Sequence, residues 1–176
     1  MKDFRFRCLD CDLNHDAAVT HLNCPQCGGL FDIEYDQDAQ APLPRLPLSR
    51  PHAKISLGEG NTPIIRLNTL SSHLGLECLW AKLEYVSPTG SFKDRGSAVL
   101  ISAALEDEVT EFVEDSSGNA GASMAAFAAA AGLKAHVFVP SSTSANKLNQ
   151  LRVYGATVHT VEGSREAATI AAREMA

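Results

Sequence analysis

The chain has no excess of positive charge. Fifteen lysines and arginines stand against 21 aspartates and glutamates, a net charge of -6 over 176 residues. Without a basic surface, neither nucleic acid nor an anionic membrane is an expected partner. Long hydrophobic runs are missing too. None approaches the length of a membrane span, and Met1-Lys2-Asp3-Phe4-Arg5 leads into no signal-peptide apolar core. A cytoplasmic location is the resulting expectation. Hydrophobic residues still make up 45% of the chain. That content and length suit a globular protein of one ordinary domain with a small appendage.

Cysteine is also sparse, but its placement is informative. Four of five cysteines form two pairs, Cys8-x-x-Cys11 and Cys24-x-x-Cys27, separated by a 12-residue spacer. Paired knuckles of this kind present four thiolates to a tetrahedral zinc ion, and a reducing compartment keeps them reduced. Pro25 and Gly28-Gly29 supply a tight turn. The expectation is a structural zinc site made by Cys8, Cys11, Cys24 and Cys27. Two disulfides, a metal-free ribbon, or His15 and His21 as substitute ligands are the alternatives. Cys78, in a strand-like run, is expected to be buried.

Residues 1–36 read as a zinc-ribbon-like module, with strands at Phe4-Arg5-Phe6-Arg7 and Leu30 to Tyr35. Residues 37–56 carry Pro42, Pro44, Pro47 and Pro51 and read as a linker. Residues 57–90 hold short strands at 64–67 and 78–84 around a brief helix, Leu70 to Leu74, stopped by Gly75. From 91 onward the pattern repeats βα units. It predicts helices at 93–106, 119–131, 145–154 and from Arg165, with strands at 111–115, 134–139 and 157–161. Strands alternating with helices of this length imply an α/β fold with a parallel sheet and right-handed crossovers.

Two turns carry candidate chemistry. In Ser87-Pro88-Thr89-Gly90-Ser91-Phe92-Lys93-Asp94-Arg95-Gly96, Lys93 falls in the first turn of a helix, one residue after a buried-looking Phe92. The dipole's positive end and desolvation favour a neutral amine, which attacks aldehydes. A surface lysine paired with Asp94 or a later acid fits that stretch equally well. In Asp115-Ser116-Ser117-Gly118-Asn119-Ala120-Gly121 a strand passes through a Gly/Ser turn into a helix N-terminus, an arrangement suited to anions. Alone, such turns are common for backbone reasons.

Together, 26 residues apart from Lys93 to Asn119, the two turns resemble the pyridoxal-phosphate enzymes of the tryptophan synthase β fold (fold type II), and within them the threonine synthases. The ribbon, Gly58-Glu59-Gly60-Asn61-Thr62-Pro63 and both turns occur in the family's order. The resemblance implies pyridoxal 5'-phosphate as cofactor and Lys93 as the Schiff-base lysine and proton-moving base. Asn119 would hydrogen-bond the cofactor ring's oxygen. Ser116, Ser117, Gly118 and Ala120 would grip the substrate carboxylate, and Thr62 would lie on the substrate side. The implied reaction converts O-phospho-L-homoserine and water to L-threonine and phosphate, with Lys147 and Arg152 the nearest candidates for the substrate phosphate.

Ser87 stands where the family often has Asn. Residues 1–176 contain neither the Gly/Asn-rich loop that binds the cofactor phosphate in the family nor the later partner of the pyridine nitrogen. The expectation is therefore an amino-terminal fragment: residues 57–90 as the first strands of the large domain and 91–176 as the small domain. Such a fragment would be inactive alone, and a homo-oligomer or a complementing carboxy-terminal segment is the expected partner. Other fold type II enzymes (cysteate synthase, threonine/serine dehydratase) and a non-catalytic zinc-ribbon module are the competing readings.

Overall fold

The computed structural model describes residues 4–15, 23–35, 46–50 and 54–176. At the amino end, β1 (Phe4–Cys8), β2 (Asn14–His15) and β3 (Phe31–Tyr35) form an antiparallel sheet in the order β2-β1-β3. Strand alternation puts Phe4 and Phe6 on one face and Arg5 and Arg7 on the other. The aromatic face packs Phe6, tilted, and His15, edge-on, against Phe31 at 6.2 and 5.8 Å between ring centroids. On the wet face Arg5 and Arg7 both reach Glu34, at 2.8 and 2.7 Å. Most of the proline-rich segment expected as a linker, and His21, lie outside the described residues.

Next, β4 (Ile64–Arg66) pairs antiparallel with β5 (Trp80–Lys82), and α1 (Asn68–His73) connects them. Gly75, at φ 67°, turns the chain out of α1. The strand expected over 78–84 is shorter. Leu83 donates to the Pro63 carbonyl, and the chain then bends into a 3-10 turn at Glu84–Val86, where Arg95 and Thr62 draw in the Glu84 carboxylate. Cys78 is exposed rather than buried. It precedes β5 in a two-stranded sheet too small to cover it, and its sulfur accepts from Trp80 Nε1 at 2.8 Å.

The remainder is an α/β unit. Its strands β6 (Glu111–Glu114), β7 (Lys134–Pro140) and β8 (Thr157–Val161) are parallel and ordered 6-7-8. The helices α2 (Lys93–Glu106), α3 (Asn119–Ala131) and α4 (Ala145–Val153) cover one face, around Ile101, Phe127, Val137, Val139 and Leu151. The last helix, α5 (Arg165–Met175), packs Ala168 and Ala172 on Phe138 of the other face. Residues Gly121 to Ala128 of α3 are buried without interruption. Small side chains let that helix lie close on α2 and β7. Gly132, at φ 75°, ends α3, with Leu133 N–H donating back to the Ala128 carbonyl.

This topology places the site. In a parallel sheet, the turns after β6, β7 and β8 share the carboxyl edge, where ligands of open α/β sheets bind. Helix α2 leads into β6 from its opposite end, so the first turn of α2, with Lys93, also lies toward the carboxyl edge.

Candidate active site and cysteine cluster

The lysine turn is built from its loop. Gly90, at φ 82°, lets its N–H return to the Ser87 carbonyl at 2.8 Å, and Phe92 then enters α2. Phe92 is 56% exposed, not buried, and Lys93 is exposed beside it with Nζ 4.6 Å from the phenyl centroid. The inward position of this turn belongs to Asp94, which is 0% exposed. Side chains one residue apart point about 100° apart around a helix, so an inward Asp94 turns Lys93 outward.

The asparagine turn follows β6. Ser116 Oγ accepts from Gly118 N–H at 3.3 Å, and α3 opens at an exposed Asn119. Ser116, Ser117, Gly118 and Ala120 are half-buried. Gly121 has a steric reason: a Cβ there would lie 1.9 Å from the Ser116 carbonyl oxygen. The first-turn N–H groups of α3 lack acceptors within the helix and can serve an anion. Asp94 joins the two turns, since Ser123, one helical turn beyond Asn119, lies 2.6 Å from its carboxylate.

Thr62 reaches the same helix by another route. It is buried, its hydroxyl donates to Glu84 at 2.7 Å, and Arg95 grips Glu84 with two nitrogens at 2.8 Å each. Arg95 also donates to the Gly60 carbonyl at 3.1 Å. Arg95 first, then Thr62, holds the Glu84 carboxyl down to about 2. In this structure Thr62 fastens the 58–63 loop to α2. At the loop's other end Glu59 is held by Lys54, Ser56 and Leu57 N–H. Lys147 and Arg152 are exposed on α4.

Glu114 is a group that sequence reading left inside a strand. Burial, and then neighbouring Asp115, push its carboxyl up, at the end of β6 two residues before Ser116. The adjacent acids at the strand's end were the available signal. Asp115 itself accepts from the Thr169 hydroxyl of α5.

The cysteine pairs converge. Cys8 and Cys27 sulfurs are 3.5 Å apart, Cys11 and Cys24 sulfurs 3.7 Å, and all four lie within 4.8 Å of one another. Tetrahedral zinc with bonds of about 2.3 Å needs sulfurs about 3.8 Å apart. The knuckles match: Asp10 N–H points to Cys8 Sγ and Gly29 N–H to Cys27 Sγ, both at 3.4 Å. Burial works to raise the Cys8 thiol, but backbone N–H groups of Asp10 and Cys11 outweigh it and bring it to about 7. Cys27 is held down by Gly29 N–H yet driven up to about 12 by the sulfurs of Cys8 and Cys11. Thiolates held this close repel one another, and a cation placed among them removes that cost. His15 is not among them; it packs on Phe31.

A βα sheet with a lysine turn and a serine-glycine-asparagine turn at one edge defines a class of cofactor enzyme. Residues 55–176 match the family described as "Pyridoxal-phosphate dependent enzyme", and the chain belongs to that family. Among its relatives, the threonine synthase of Methanocaldococcus jannaschii is 35% identical over 188 residues, covering 97% of this chain and 46% of that protein. A second, from a Bacillus species, is 40% identical over 132 residues, covering 74% of this chain and 37% of that protein. The chain thus spans less than half the length of these curated relatives. Among solved structures, maize serine racemase superposes with a TM-score of 0.60 at 30% identity, over 64% of this chain and 34% of that one.

The residues present fit pyridoxal phosphate. Lys93 offers an exposed amine and Asn119 an exposed amide at a helix start. Ser87 Oγ, buried at the head of the lysine turn, has no hydrogen-bond partner among the described residues.

Proposed function

We propose that this chain is the amino-terminal part of a pyridoxal-phosphate-dependent lyase of threonine-synthase type, converting O-phospho-L-homoserine and water to L-threonine and phosphate. The observation that carries the reading is the junction of the Lys93 and Asn119 turns through Asp94 and Ser123 at the sheet's carboxyl edge. The proposed organisation is a ribbon over 1–36, a linker over 37–56, the first large-domain strands over 57–90 and the small domain over 91–176. A zinc site of four thiolates would need a reducing compartment such as the cytoplasm. A homo-oligomer or a complementing carboxy-terminal segment would complete the molecule.

Pyridoxal phosphate, when bound, supplies an electron sink for bonds at the substrate's α-carbon. Lys93 Nζ takes and returns protons between substrate carbons, the task of a positioned general base. The Asn119 amide would hold the cofactor ring by donating to one of its oxygens. Hydroxyls of Ser116 and Ser117, with backbone N–H groups of Gly118 and Ala120, bind the substrate carboxylate. Cys8, Cys11, Cys24 and Cys27 hold a structural zinc, closed to solvent chemistry by its four sulfurs.

The test is an absorbance spectrum with added pyridoxal phosphate, followed by borohydride reduction and peptide mapping. A new long-wavelength band with the adduct on Lys93 supports the reading. Adducts scattered over the six lysines sink it. Incubating O-phosphohomoserine with and without sulfite, alongside serine, separates threonine formation from sulfonate formation, dehydration and racemisation.

A further inference from the structure

We infer that Asp94 is a positioning residue for Lys93, acting through a buried hydrogen-bond bridge to the helix that carries Asn119. The inference rests on the cofactor reading above. Asp94 follows Lys93 in α2 and is 0% exposed. One carboxylate oxygen accepts from Thr89 N–H at 2.8 Å. The other receives the Thr89 hydroxyl and lies 2.6 Å from Ser123 Oγ. Ser123, also 0% exposed, lies 2.7 Å from Ser97 Oγ. Among the described residues, Asp94 makes no ion pair with a lysine or arginine.

A buried carboxylate without a cation is an expensive choice for packing alone. What it provides is direction. Its oxygens meet donors from two segments, the turn before Lys93 through Thr89 and α3 through Ser123, and the Ser123 hydroxyl in turn meets Ser97 of α2. Ser123 is four residues after Asn119, so the two occupy one side of α3 a turn apart. The carboxylate therefore fixes the roll of the first turn of α2 and its height against α3. Lys93 is the adjacent residue on a long side chain, and a small roll at Asp94 becomes a large displacement at Nζ. An apolar residue of the same size would fill the space and leave that roll free.

The experiment uses the full chain. Pyridoxal phosphate is added, the adduct is trapped with borohydride, and the rate at Lys93 is measured against Lys134 and Lys147 by peptide mapping. Each variant is compared at the same interval below its own melting midpoint. Thr89→Val and Ser123→Ala each remove one hydroxyl from the bridge, while Thr89→Ser keeps both Thr89 donors. The expected result is a fall of about tenfold or more at Lys93 for the first two, the scale of loss when a reacting group is misplaced. Rates at Lys134 and Lys147 stay constant, and Thr89→Ser matches the unaltered chain. If Ser123→Ala does not fold, Thr89→Val decides. An unchanged Lys93 rate in the folded variants overturns the positioning role and leaves the cofactor reading standing. A Lys93 that reacts no faster than Lys134 and Lys147 in the unaltered chain overturns the cofactor reading, and the positioning role with it.

Discussion

At the scale of single residues, the clearest design is the clamp of Glu84 by Arg95 and Thr62. Both charged partners are partly exposed, at 26% and 41% of their side chains, so solvent and salt screen the attraction. Because the Glu84 carboxyl titrates at about 2, below the ordinary carboxylate range near 4, folding favours its charged form. The stabilisation is complete above the ordinary value and is lost as pH falls toward about 2. Glu84→Gln should therefore melt at a lower temperature than the unaltered chain near neutral pH, and the two midpoints should converge as the solution is acidified. Parallel melting curves across that range would remove the clamp from the account of stability. The same clamp ties the 58–63 loop to α2, two residues from Lys93, which gives Thr62 and Arg95 a mechanical role irrespective of substrate.

At the scale of elements, the ribbon and the α/β unit rest on different forces. The α/β unit has a contiguous core in which Phe127, Ile101 and Leu151 are fully buried, worth about 1.5–3 kcal/mol each in transfer alone. The ribbon has a thin aromatic layer and four clustered sulfurs, so its fold depends on the metal we assign to it. Purified chain should contain about one zinc per molecule by elemental analysis. A strong chelator should abolish the Phe6 to Phe31 packing, read by proton exchange or near-ultraviolet dichroism, while the α/β unit keeps its melting transition. Metal-free protein with an intact ribbon would contradict the assignment. Elements were legible because their signals are local. Gly132 and Gly75 end helices at left-handed positions, and the runs at 111–114, 134–140 and 157–161 alternate with helices of 9 to 14 residues. Helix α2 begins at Lys93, five residues ahead of its apolar run from Ala98, where the Gly90 turn releases the chain. The 78–84 run was misjudged because its end is set by Glu84 reaching Arg95 and Thr62, contacts far along the chain.

At the scale of the whole molecule, residues 57–86 stand out. Ile64, Ile65 and Trp80 of a two-stranded sheet of three-residue strands, and Leu70, Leu74 and Leu76 of the α1 connection, are all exposed. Such a sheet is marginal alone, and its register exposes apolar side chains on both faces, Ile65 on one and Ile64 and Trp80 on the other, the mark of an interaction site. The relatives are more than twice as long as the stretch they share with this chain. In isolation the chain should bind an apolar dye and change its apparent size with concentration on gel filtration. Ile65→Lys with Trp80→Gln should suppress both while leaving the α/β melting transition in place. A monodisperse monomer with no dye binding would mean that these exposed side chains need no partner.

The sequence by itself determined where most helices and strands lie, the pairing of cysteines into two knuckles, and the two turns that point to a pyridoxal-phosphate enzyme. These depend on spacing and on neighbours within a few residues, which the chain carries in plain order. Only the tertiary structure decided that Asp94 is inside while Phe92 and Lys93 are outside, that Cys78 is exposed, that Thr62 is tied to Glu84, and that Glu114 is desolvated beside the serine turn. Burial of a single side chain is set by what the rest of the chain brings against it, and no local pattern encodes that.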